Sequence, residues 1–439
     1  MSLRVFARLG LVCLLVAGPL FAAPVTDLSG EWELMITVFG NSLAYRMDLK
    51  VDAGKLTGSV SRGKPTPITG TADGDRIRFE WKDPDGTQNT FEGRLQKGEL
   101  SGTASFSGEP YGATPPMPWR ARRSATDKPA APRTLDFEPK EFHRLFSATI
   151  EPVLRIWPGD TVRTWTVDAG GVDPQGKSRS MGGNPQTGPF YVEGAMPGDL
   201  LVVHVKKLRL NRPSAISDDG LVSRAITTDW AAEHKNEFND IAWSLDLQTG
   251  MAKLSKPTER LAYLSVPTRP MLGCVAVAPG FGGAPRQTTD SGRIGGNMDF
   301  NELVEGSTVY LAVGQPGALL YVGDGHAIQG DGELNGNALE TSMDVEFSVD
   351  LVRAKSIGYP RVENAEYIMA MGLGGSLDEA FKEATSSLLS WLESDYGLTG
   401  PETAMLLGVA VEYEVSEVAD RNAGIVAKIA KKYLPKPKD

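Results

Sequence analysis

Polar and apolar residues alternate with period two from Asp27 to about Arg123. In "YRMDLKV", Tyr45, Met47, Leu49 and Val51 alternate with Arg46, Asp48 and Lys50; in "IRFEWKD", Ile77, Phe79 and Trp81 alternate with Arg78, Glu80 and Lys82. Successive side chains of a strand point to opposite faces, so each run predicts a strand with one buried face. The runs are separated by the turn sequences "DAGK", "ADGD", "DPDG" and "QKGE". Short strands with tight turns predict an antiparallel meander, closed or nearly closed into a small barrel.

With Trp32 early in "SGEWEL", this region resembles lipocalin-like or avidin-like barrels. It carries no titratable cluster, which points to an accessory domain over 27–123. "SATDKPAAPRT", residues 124–134, is polar and Pro-rich without apolar periodicity and reads as an extended linker. The second domain, 135–439, is again mainly strand. "PVLRIWPGDTVRTWTV" and "GPFYVEGAMPGDLLVVHV" each run strand, Pro-Gly-Asp turn, strand, and "GSTVYLAVGQPGALLYVGD" has the same rhythm; these predict related hairpins. "SMDVEFSVDLV" predicts a long strand with Met343, Val345, Phe347, Val349 and Leu351 on one face. Helix appears late. Ser376 to Glu379 has the form of a capping box, followed by a stripe from Leu377 to Leu392, and a shorter helix should begin near Pro401 and stop at Gly408. The fold class is therefore mainly β: a small antiparallel barrel, then a β-sandwich or barrel domain with carboxy-terminal helices.

Charge and cysteine content narrow the partners. Arg4 and Arg8 precede an apolar run from Leu9 to Leu20 and small residues Ala22 and Ala23, which predicts a secretory signal peptide over 1–22 and a periplasmic or secreted protein. The run is short for a membrane span, so no stable span is expected after its removal. The formal net charge of −10 argues against a nucleic-acid-binding surface. Beyond Cys13 in that leader the one cysteine is Cys274, which excludes an internal disulfide in the mature chain.

The candidate chemistry is concentrated in "VGDGHAIQGDGEL", residues 322–334, where Asp324, His326, Asp331 and Glu333 alternate with glycines. Residues two apart on an extended chain share a face, so Asp324 pairs with His326 and Asp331 with Glu333. A carboxylate and an imidazole converging from one strand end suit Zn²⁺, which in catalytic sites keeps about three protein ligands and a water. A solvated Gly-Asp turn satisfies the same spacing, as does a Ca²⁺ turn using Asp324, Asp331 and Glu333. Serine and cysteine nucleophiles lack support: Ser376 opens a capped helix, and Cys274 lies in an apolar strand-like run. His143, beside Phe142 and Leu145, is a further candidate site residue, whereas His204 reads as a strand residue and His234 as exposed.

Five phrases together resemble the acetamidase/formamidase family: "DAGG" at Asp168, "NPQTGPFYVEGAMPGD" at Asn184, "GCVAVAPG" at Gly273, "GGNMD" at Gly295 and "VGDGHAIQGDGE" at Val322. The resemblance covers about Leu135 to Leu434 and leaves the barrel outside. It implies a β-rich fold and hydrolysis of short linear amides to carboxylate and ammonia, with a divalent metal, Zn²⁺ or else Ca²⁺. It implies Asp324 and His326 as ligands joined by Asp168 or Asp299, Asn184 and Gln329 as substrate-binding residues, and Glu333 with Asp331 as catalytic residues, Glu333 the base. It further implies a small-molecule amide substrate and a homodimer. A non-catalytic exported binding protein with a structural metal site is the alternative.

Overall fold

The computed structural model describes residues 27–108 and 112–438, so the leader expected over 1–22 lies outside the described residues. Seven consecutive strands from Gly30–Val38 to Glu99–Gly108 pair each with the next, and Met117–Arg123 pairs with the first and last of them to close an eight-stranded antiparallel barrel. In Arg76–Lys82 exposed and buried residues alternate at every position, with Ile77, Phe79 and Trp81 inward. The barrel interior is filled by side chains: the Phe91 ring stacks 4.7 Å from Phe79 and 4.5 Å from Trp81, and Trp32, Leu34, Met47 and Leu49 are buried around them.

The remainder is built on two large sheets, of nine and six strands. The main core joins them. It combines Phe190, Val192, Leu320 and Val322 of the six-stranded sheet with Leu201, Val203, Val309 and Phe347 of the nine-stranded one. Here the expected hairpins are corrected. Leu154–Ile156 and Thr161–Thr166 lie in different sheets, as do Gln186–Val192 and Leu200–Leu210, and again Thr308–Ala312 and Leu320–His326. Each repeat is an arch that carries the chain across the sandwich. The physical reason is burial: every residue of Gln186–Val192, Met271–Val277 and Leu320–His326 is buried, which a solvent-facing hairpin cannot provide.

The strand Met343–Val352 forms as expected and pairs along its length with Leu200–Leu210. The helix Leu377–Tyr396 is capped by Ser376, whose Oγ accepts from the Glu379 N–H at 3.2 Å, and it packs Ala380, Ala384, Leu388 and Trp391 on Ile368, Ala370 and Ile429. Gly372 permits this approach, because a Cβ there would lie 1.9 Å from the Ala380 carbonyl oxygen. The last helix, Gly400–Ala410, passes through Gly408 instead of stopping there, since one glycine costs only about 1 kcal/mol in a helix whose capping box at Thr399 is complete.

The barrel is tied to the sandwich by charge. Arg46 donates to both Asp199 oxygens and to the Gly194 carbonyl, Arg122 bridges Glu33 and the Tyr191 hydroxyl, and Arg353 pairs with Glu31. Asp199 closes one of the Pro-Gly-Asp arches, so a turn of the sandwich serves as the seat of the barrel.

Candidate metal and catalytic centre

Four neighbouring strands of the six-stranded sheet assemble the site. Leu320–His326 is central, flanked by Gln186–Val192 and Met271–Val277, and Gly295–Asn297 pairs with the latter. Asp324 and His326 end the central strand, Asp299 follows the outer one, and Asn184 precedes its partner on the other side. Gly273 makes the space between them. A Cβ at that position would stand 2.4 Å from Asp299 Oδ1 and 2.5 Å from Asp324 Oδ2, so only glycine leaves both carboxylates where they are.

His326 lies at the centre of the group. Its Nε2 is 3.1 Å from a Glu340 oxygen, 3.5 Å from Asp324 Oδ2 and 3.9 Å from Asp299 Oδ1. Its Nδ1 is 2.9 Å from Gln329 Oε1, and the Gln329 amide nitrogen donates to the carbonyls of Asp299 and Ser416. With that amide nitrogen committed, Oε1 must accept, so Nδ1 carries a proton, and Nε2, when it is not itself protonated, turns its lone pair toward the carboxylates. Lone pair facing anions is unfavourable unless a positive charge stands between them. Nε2, Asp299 Oδ1, Asp324 Oδ1 and Glu340 Oε2 are all buried without a hydrogen-bond partner. Two sets of ligand atoms lie within 4.8 Å of one another: Asp299, His326 and Glu333, and Asp324, His326 and Glu340.

The electrostatics show the same demand for positive charge at Nε2, which a proton meets when no cation is bound. Burial lowers the basicity of His326, but Glu340 and Asp324 outweigh it and hold the imidazole well above its ordinary range. Burial, reinforced by neighbouring carboxylates, raises Asp299 and Glu333 well above theirs and brings Glu340 up to about 7. Strain is concentrated here too. Among the described residues ten non-glycines have positive φ, and Asn184, Asp299, Asp324 and Glu333 are four of them. Such residues persist where surrounding structure holds them, and they cluster at functional sites.

The expected site residues separate into three groups. Asp299, Asp324, His326 and Glu333 come together. Asn184 and Gln329, expected to bind substrate, hold the centre instead: Asn184 donates to Asp324 Oδ2 and to Asn297 Oδ1, and Gln329 fixes His326. Asp168 and Asp331 lie outside both ligand sets. Asp168 accepts from Arg212 at 2.6 Å and from the Val172 N–H at 2.8 Å, so both its oxygens are occupied by other partners. Asp331 is exposed and bonded by Asn301, while Glu333 is buried; the segment folds as a turn, with the Glu333 N–H on the Gly330 carbonyl, so the two acids do not share a face. His143 pairs through its backbone with Gln186, and burial lowers its imidazole. Cys274 is buried and its thiol is raised, first by burial, which suits a packing residue.

Three participants were not legible. Glu340, in "NALETSM", meets His326 through an isolated antiparallel bridge and has no spacing motif. Asn297 donates to Asp299 and to Asp420, linking the centre to a surface loop; Asp420 is pushed up to about 6, chiefly by burial. Arg212 reaches from Asp168 to the Glu340 carbonyl.

Comparison with known proteins follows the same lines. Residues 280–431 match the model of the acetamidase/formamidase family. The crystal structure of an acetamidase from Yersinia enterocolitica superposes with a TM-score of 0.61 at 30% identity, over 70% of this chain and 94% of that one. An acetamidase from Bacillus halodurans shares the fold, with a TM-score of 0.59 at 24% identity over 68% and 98% of the two chains. The formamidase of Methylophilus methylotrophus is 24% identical over 301 residues, 53% of this chain and 72% of its own. The family match and these relatives make this an amidase-type hydrolase carried on a mainly β fold. The chain belongs to the acetamidase/formamidase family.

Proposed function

We propose that the protein hydrolyses a short linear amide to a carboxylate and ammonia, with a divalent cation, Zn²⁺ in the first instance, held by His326 Nε2 and the carboxylates of Asp324, Glu340 and Asp299. The observation that carries this reading is the partnerless Nε2, oriented by Gln329 toward oxygens of three carboxylates. The donor set fits: one imidazole with several carboxylates suits a first-row divalent cation, and the imidazole is held through its second nitrogen, as metal-bound histidines usually are. Such a cation supplies Lewis-acid polarisation of the amide carbonyl and makes water more acidic.

The chain's own residues do the rest. Glu333 takes the proton from the attacking water and delivers it to the departing nitrogen, because ammonia leaves only when the nitrogen is protonated. Burial makes Glu333 a stronger base than an exposed carboxylate, and its backbone N–H bond to Gly330 with the Ala338 N–H on its Oε1 fixes its position. Asn184 and Asn297 hold Asp324 and Asp299 in place. Replacing Glu333 with Gln should lower kcat for acetamide by about 10²- to 10⁴-fold while bound metal stays at the wild-type level. Unchanged ammonia release in a variant of full metal content would remove Glu333 from this role.

A further inference from the structure

Resting on the amidase reading, the geometry points to a primary amide with an extended, uncharged apolar acyl chain as the substrate, the chain lying in a groove beside Glu333. The groove has a volume of about 390 Å³ and reaches Glu333 and Gln329 directly; Leu221, Trp243, Val266 and Ile328 form much of its wall. That volume lies within the range of sites that enclose drug-sized ligands, far beyond the single methyl of acetamide. Trp243 and Val266 of this wall belong to a small four-stranded sheet, Ser214–Asp218 to Ser265–Pro267, which is bridged to the centre through Ile216 and Glu340. Trp243 is held in position by its Nε1–H on Ser217 Oγ at 2.9 Å.

Charge selects among chains. The ionisable groups lining the groove are Asp331 and Glu333, both acids, so a carboxylate on the chain is repelled. A larger cavity of about 900 Å³ is lined by Arg286, Arg293 and Arg421 beside Asp290 and Asp420, and its three guanidinium groups would favour such an anion. It meets the centre through Asp420, which is joined to Asp299 only by way of Asn297. Its lining includes neither His326 nor any of Asp299, Asp324, Glu333 and Glu340. The lining of the apolar groove also omits His326, Asp299, Asp324 and Glu340, but it includes Glu333 and the Gln329 that holds His326, and this contact makes it the approach for the carbonyl. The reaction balances as RCONH₂ plus water giving RCOOH plus NH₃, with R in the groove.

The test is ammonia release by the metal-loaded full chain from acetamide, butanamide, hexanamide, 6-aminohexanamide and succinamate, in wild type and in the Leu221→Trp and Val266→Asp variants. In wild type, kcat/KM should rise about fourfold for each methylene buried and favour hexanamide over acetamide by at least about tenfold. Leu221→Trp fills the groove and Val266→Asp charges it, so each should lower the hexanamide-to-acetamide ratio about fivefold or more. Either variant suffices if the other does not fold. Preference for acetamide, or a ratio unmoved in the folded variants, overturns the groove while leaving the amidase reading intact. Preference for succinamate moves the substrate to the arginine-lined cavity, and preference for 6-aminohexanamide assigns the groove to a cation; both overturn the proposal. No ammonia from any amide at full metal content overturns it together with the amidase reading.

Discussion

Gly273 shows how much of the site depends on a side chain that is absent. It sits on a strand whose every residue is buried, and the space it leaves is occupied by oxygens of Asp299 and Asp324. Gly273→Ala should leave the fold intact by circular dichroism yet weaken zinc binding about 10-fold to 100-fold, the usual effect of disturbing what holds metal ligands. Wild-type affinity in that variant, measured by competition with a chelating dye, would show that the two carboxylates can move apart freely. At this scale the sequence was informative where chemistry is local. Asp324 and His326 are two apart at a strand end and meet as their spacing implies. Glu340 was illegible because its approach depends on a bridge closed by the fold, and Asp168 was misleading because its partner Arg212 lies 44 residues away.

Elements were read best where one face is wet. The barrel strands alternate because water lies outside them, and Met343–Val352 and the capped helix follow their patterns for the same reason. Where both faces are covered the pattern vanishes, and Pro-Gly-Asp turns look alike whether they close a hairpin or arch between sheets. The discriminating signal was present in "PFYV", "LLVV" and "ALLYV": unbroken apolar runs belong to strands buried on both faces. The helix Leu377–Tyr396 stands apart from the strands of the candidate centre, packing on Ile368, Ala370 and Ile429. Ser376→Ala removes its cap and should lower stability by about 1 kcal/mol in urea unfolding. Ammonia release at 25 °C should remain at the wild-type level; a fall in kcat would couple this helix to the centre.

On the scale of the whole molecule, the acetamidase of Yersinia enterocolitica is matched over nearly all its length while almost a third of this chain remains unmatched. The barrel fits the role of an addition: it has its own core and meets the sandwich through Arg46, Arg122 and Arg353. With its interior filled by Trp32, Phe79, Phe91 and their neighbours, whatever it contributes is presented on its outer face. In the sandwich, strand ends and the segments beside them gather Asp299, Asp324, Glu333 and Glu340 around the His326 imidazole. That convergence makes a bound cation the central claim. The most direct measurement is ammonia release from hexanamide and acetamide alongside elemental analysis, before chelation, after chelation, and after return of Zn²⁺. The account predicts one tightly held divalent metal per chain, loss of turnover when it is stripped and recovery when it is restored; full turnover by metal-free protein would contradict it.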